Sequence, residues 1–127
     1  MVATVVRVLH VDDLEEEFIL LRELLSSVPD MQFEFYWVPD IRTAMQAMDE
    51  KNFDVCLVDY HLGLDRGLDL IQTAHAKHVK MPFILMSGQK DRSIEREALQ
   101  IGARLCIDKN DITTSVLLKA IQEAMRI

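Results

Sequence analysis

The sequence predicts an α/β fold: a five-stranded, doubly wound parallel sheet with five helices packed on its faces. Two patterns predict it. Short apolar runs alternate with segments whose apolar residues recur at helical spacing, and most of the runs lack the clean in–out alternation of a sheet with one wet face. A third observation bears on function. Residues 5–11 run into Asp12-Asp13, 55–58 into Asp59, 83–86 into Ser87, and 105–107 through Asp108 to Lys109. The carboxyl ends of parallel strands line one crevice, so three acids, a hydroxyl and an ammonium from distant parts of the chain are expected to converge there.

The elements follow in order. The first strand covers 5–11, and Leu14, Phe18, Leu21 and Leu25 form the stripe of the helix after it. The second strand, 33–38, is mixed, with Glu34 and Tyr36, and suits a sheet edge. Ile41, Ala44, Met45 and Met48 give the second helix, with Asp40 as N-cap. The third strand, Val55–Asp59, leads through a loop containing Gly63 to a weaker stripe of Leu68, Ile71 and Ala74. The fourth strand, 83–86, precedes a helix carrying Ile94, Ala98 and Ile101, stopped by Gly102. After the fifth strand, 105–107, come Leu117, Ala120, Ile121 and Ala124, with Asp111 as N-cap and the helix running to Ile127. Pro29, Pro39 and Pro82 all fall outside helix interiors. Right-handed crossovers between such units wind the sheet on both sides.

At 127 residues the chain is expected to be one domain, 1–127, with no output domain. No apolar run is long enough to span a bilayer, and the start lacks a charged region and cleavage site, so a cytoplasmic location is expected. The net charge of −7 argues against nucleic acid or an anionic membrane as partner. Cys56 and Cys106 have neither CxxC spacing nor zinc-ligand histidines beside them and read as small buried hydrophobes. His10 reads as a satisfied core histidine, and His75 and His78 as solvated.

Carboxylates held together repel, and a cation must offset them; hard oxygen donors suit Mg²⁺. Taken alone, Asp12-Asp13 reads rather as an N-cap before Leu14-Glu15-Glu16-Glu17, where acids favour the positive end of the dipole. Asp59 is different: a carboxylate at a strand end beside a metal can act as nucleophile and form an acyl phosphate. Lys109, the Ser87 hydroxyl and the backbone N–H groups near Gly88 would then meet the phosphoryl oxygens.

The order Asp12-Asp13, Asp59, Ser87, Lys109 on a five-fold strand–helix chain of this length resembles the response-regulator receiver domain of two-component signalling. The resemblance runs over residues 5–125. It implies the flavodoxin-like strand order 2-1-3-4-5 and a phosphoryl group accepted by Asp59 from a histidine kinase or histidine phosphotransfer protein. It implies Mg²⁺ held by Asp13, Asp59 and the main-chain carbonyl of His61, with Asp12 acting through a water of the metal. Ser87 would be the switch hydroxyl, and Lys109 would contact the phosphoryl oxygens. Phosphorylation would alter affinity for a separate effector protein, and a phosphorylation-dependent homodimer would use residues 92–100 and 113–126. No enzyme activity beyond slow self-dephosphorylation is implied.

Two positions depart from the family pattern. Cys106 stands where receivers carry an aromatic residue that swings on activation, and Asn110 stands where proline commonly follows the lysine. A non-proline cis bond costs about 2.5–4 kcal/mol, so Lys109–Asn110 is expected to be trans. Gln89 and His61, each two residues beyond a site residue, are the positions that tune hydrolysis in the family. The departures leave a second reading, a phosphorylation-independent interaction scaffold of the same fold. Hydrolases that form aspartyl phosphates fit poorly, because they carry Asp-x-Asp after the first strand. A flavin carrier fits poorly too, because Asp12-Asp13-Leu14-Glu15 would repel the flavin phosphate.

Overall fold

A computed structural model describes residues 3–89 and 91–126. Its sheet contains β1 (Thr4–Val11), β2 (Met31–Val38), β3 (Val55–Asp59), β4 (Phe83–Ser87) and β5 (Leu105–Asp108), all parallel, in the order 2-1-3-4-5. The helices are α1 (Glu15–Leu25), α2 (Ile41–Glu50), α3 (Gly67–Ala76), α4 (Arg92–Gln100) and α5 (Thr114–Ala124). The mixed strand β2 lies at an edge, as its composition requires.

Successive residues of the inner strands bury on opposite faces. Val8, Val55, Leu57, Ile84 and Met86 meet Leu21 and Leu25 of α1 and Leu117 and Ile121 of α5. Leu9, Val11, Cys56, Val58, Phe83 and Leu85 meet Ala44 and Ala47 of α2, Leu68 and Ile71 of α3, and Ile94 and Ala98 of α4. The unbroken apolar runs are therefore two interleaved period-two sets, one for each layer. Each large side chain so buried contributes about 1.5–3 kcal/mol.

Several local expectations are corrected. Asp111 does not cap α5: it lies in a 3₁₀ turn, Lys109–Asp111, and the cap is Thr113, whose side chain accepts from Val116 N. The helix ends at Ala124, short of the expected Ile127, which like Met1 and Val2 of the expected leaderless start lies outside the described residues. Leu14 is half exposed and serves as the N-cap residue of α1 rather than as part of its buried stripe. Cys106 is only partly buried, because β5 is the other sheet edge. His10 is fully buried but has no hydrogen-bond partner on either ring nitrogen. The loop after β3 forms a small antiparallel hairpin, His61–Leu62 with Asp65–Arg66, turned at Gly63 with φ 63°. Asp40 caps α2 through Thr43 N at 2.8 Å, and Gly102, at φ 116°, follows the end of α4, both as expected. No described helix is long and apolar enough to cross a membrane.

Candidate functional site

All four strand ends singled out by the sequence open at the carboxyl end of the sheet. Asp12 directly follows β1, with its side chain fully buried. Its Oδ1 accepts from Leu14 N at 3.0 Å, while Oδ2 is buried without a hydrogen-bond partner. The acids after β1 therefore do not cap α1, whose N-cap has no side-chain cap bond. Asp59 ends β3 and is 5% exposed. Its main chain is held closely: Tyr60 N donates to Met86 O at 2.8 Å, and Gly67 N donates to Tyr60 O at 2.7 Å.

Lys109 arrives from the turn after β5 and binds this cluster. Its Nζ lies 2.9 Å from Asp59 Oδ1 and 3.8 Å from Asp12 Oδ2, and it donates to Glu17 Oε2. Glu17 is the residue the sequence reading missed. It sits on the inward face of α1, and carboxylate oxygens of Asp12, Glu17 and Asp59 all lie within 4.8 Å of one another. Asp13 points elsewhere: its exposed side chain accepts from Gly63 N at 3.1 Å, which ties the hairpin to the end of β1. His61 stands on that hairpin with an exposed side chain, edge-on to Tyr60.

Ser87 ends β4 and is 3% exposed; its Oγ accepts from Gln89 N at 3.2 Å. The loop after it is tied to the Lys109 turn by Asn110 Nδ2, which donates to Gly88 O at 3.1 Å. Asp108 Oδ1 in turn accepts from Asn110 N at 2.8 Å, and the Lys109–Asn110 peptide is trans as expected. A cleft of about 280 Å³ opens between α4 and β5, lined by Ser87, Gln89, Ile94, Cys106 and Asp108 among others.

The electrostatics follow from burial and proximity. Burial pushes the Asp59 carboxyl up, against the pull of Lys109. Burial alone would lower Lys109, but its contacts with Glu17 and Asp59 outweigh this and raise it, so it stays an ammonium. Burial pushes Glu17 up to about 7, helped by the adjacent Asp12. Burial also opposes charge on Asp12, yet hydrogen bonding from its neighbours and the charge of Lys109 hold it below its ordinary value. Three carboxylates share a single close ammonium among the described residues, and this leaves a net negative pocket with an unpartnered buried oxygen. That donor set fits a hard divalent cation such as Mg²⁺, which Asp12, Glu17 and Asp59 could hold between them. Bound there, Mg²⁺ would neutralise charge on a phosphoryl group.

Burial, then Glu95 and Asp108, raises the Cys106 thiol to about 11. An ordinary cysteine titrates near 8.5, and only the thiolate reacts. Iodoacetamide at pH 7.5 is therefore expected to alkylate native Cys106 at least about tenfold more slowly than free cysteine, accelerating as the pH approaches 11. Peptide mapping of the time course checks this, and a rate equal to that of free cysteine would refute it.

A family model, the response regulator receiver domain, matches residues 8–122. Response regulator protein PilR of Pseudomonas aeruginosa is 27% identical over 84 residues, 65% of this chain and 19% of PilR. The chain thus spans about a fifth of the length of that curated relative. Among solved structures, the response regulator domain of Thermotoga maritima CheB is 28% identical with a TM-score of 0.80, over 97% of this chain and 98% of that one. A CheY-like receiver domain protein from Methanospirillum hungatei is 22% identical with a TM-score of 0.82, over 96% and 94%. Chemotaxis response regulator CheY4 of Vibrio cholerae is 20% identical with a TM-score of 0.81, over 95% and 99%.

Proposed function

Because this chain belongs to the response regulator receiver domain family, we propose that it is a phosphoacceptor switch or relay carrier in which Asp59 takes a phosphoryl group in the presence of Mg²⁺. The observation that carries the reading is the placement of Asp59: buried at a strand end, 2.9 Å from the Lys109 ammonium, beside the unpartnered oxygen of Asp12. A carboxylate oxygen of Asp59 forms the new O–P bond. The P–N bond of a partner phosphohistidine breaks, and its electron pair leaves with the imidazole, which is neutral if already protonated at its other nitrogen.

Lys109 stays on the phosphoryl oxygens as charge shifts, and the Ser87 hydroxyl turns from Gln89 N to meet another of them. Asp13, its carboxylate turned from Gly63 N, and the main-chain carbonyl of His61 would help hold the cation, and the Gln89 and His61 side chains would govern access of water to the acyl phosphate. The donor is a histidine kinase or histidine phosphotransfer protein in the cytoplasm, and the output is altered affinity for a separate protein. With Cys106 in place of an aromatic, the movement of Ser87 reaches the surface through the Gly88–Asn110 clasp and the cleft between α4 and β5.

Acetyl phosphate with and without Mg²⁺, followed by intact mass, tests the reading. One phosphoryl group is expected on the wild type with metal, and none on Asp59→Asn. No addition under conditions that label an ordinary receiver would favour the phosphorylation-independent scaffold.

A further inference from the structure

We propose that His10 is a positioning residue for the acid site: its Nε2–H donates to Oδ2 of Asp12 and fixes the carboxylate that faces the cation. The inference rests on the reading of that site as a Mg²⁺ centre. His10 lies on β1 with its side chain wholly buried, and its ring packs against Phe18 and Phe35 with centroids 6.2 Å away in each case. Neither ring nitrogen has a hydrogen-bond partner. The acid facing it is Asp12, with Nε2 3.6 Å from an Oδ2 that is itself unpartnered. A small rotation of either group brings the pair to the usual separation of about 2.9 Å.

A buried imidazole facing a buried carboxylate oxygen costs stability relative to an aliphatic side chain on β1 unless the two close into a hydrogen bond. Such a breach of local consistency is expected where function requires it. The geometry supplies the requirement. Oδ1 of Asp12 is already fixed by Leu14 N at 3.0 Å, so a bond from His10 to Oδ2 sets the plane of the carboxylate. A carboxylate oxygen has two lone pairs and can accept from His10 while still facing the site. Groups that orient a ligating carboxylate in this way change metal affinity by about 10–100-fold when they are lost.

Trp37 gives the readout. It is the sole tryptophan, and its Nε1–H donates to the main-chain oxygen of Asp12 at 2.8 Å. Titrating Mg²⁺ against its fluorescence in wild type, His10→Leu and His10→Gln, with urea unfolding of each in the absence of metal, tests the proposal. His10→Leu is expected to bind Mg²⁺ about tenfold more weakly, with a somewhat lower urea midpoint because the buried Asp12 Oδ2 loses its donor. His10→Gln keeps an N–H at similar reach and is expected to recover most of the affinity. A packing role alone would lower the urea midpoint of His10→Leu and leave the affinity unchanged. Equal saturation of wild type and His10→Leu would overturn the role of His10 alone. A wild type with no saturable response would overturn the metal reading, and this role with it.

Discussion

Lys109→Met is expected to separate two properties of the site, slowing phosphorylation while tightening Mg²⁺ binding. Methionine keeps the apolar stem and deletes the ammonium. The lost contacts are those to Asp59 Oδ1 at 2.9 Å, to Asp12 Oδ2 at 3.8 Å and to Glu17. With an effective dielectric constant of about 20, a unit charge at about 4 Å is worth about 4 kcal/mol. Lys109 is 19% exposed, so screening reduces this, and about a tenfold fall in the Kd for Mg²⁺ is expected. Phosphorylation moves the other way. A preorganised donor to developing oxyanion charge contributes about 10²–10³-fold, and labelling by acetyl phosphate at saturating Mg²⁺ is expected to slow by about that factor. Trp37 fluorescence gives the first quantity and intact mass the second. Unchanged labelling would remove Lys109 from the chemistry and reduce it to a counter-ion for Asp59.

Much of this arrangement was legible because strand ends are legible. The apolar runs stop where the sheet stops, and Asp12, Asp59, Ser87 and the Lys109 turn are the residues that follow. Glu17 was hidden by its neighbours. In Glu15-Glu16-Glu17 all three acids suit the first turn of a helix, and only the rotation of α1 against β1 selects the one that reaches Lys109. Asp111 and Thr113 are both good capping residues, and sequence alone does not choose between them. The 3₁₀ turn that follows Lys109 postpones the helix to the second of them. Cys106 is less buried than its apolar run suggests because the fifth strand is a sheet edge, a consequence the order 2-1-3-4-5 already contains. The absent partners of His10 are invisible in sequence, since they depend on which aromatic rings close around it. None of these corrections moves a strand; each concerns how neighbouring elements meet.

Gly67→Ala is expected to damage the site from outside it. A Cβ at Gly67 would stand 2.2 Å from the main-chain oxygen of Asp59, 3.0 Å from its carbonyl carbon and 3.1 Å from Val58 Cγ2. The nearest obstacles are backbone, so no side-chain rotation relieves them. Either the first turn of α3 lifts off the sheet or the end of β3 shifts, and both loosen the Gly67 N to Tyr60 O bond of 2.7 Å. Overpacking of this kind costs about 1–3 kcal/mol, which denaturant unfolding would measure. A displacement of Asp59 by about 1 Å from Lys109 would slow phosphorylation by up to about 10²-fold. Gly88→Ala is the control for stability, because a Cβ there meets nothing within 4 Å, and its unfolding free energy is expected to stay within about 0.5 kcal/mol of wild type. If Gly67→Ala unfolds and labels as the wild type does, α3 is free to yield, and the position of Asp59 is set by the strand ladder alone.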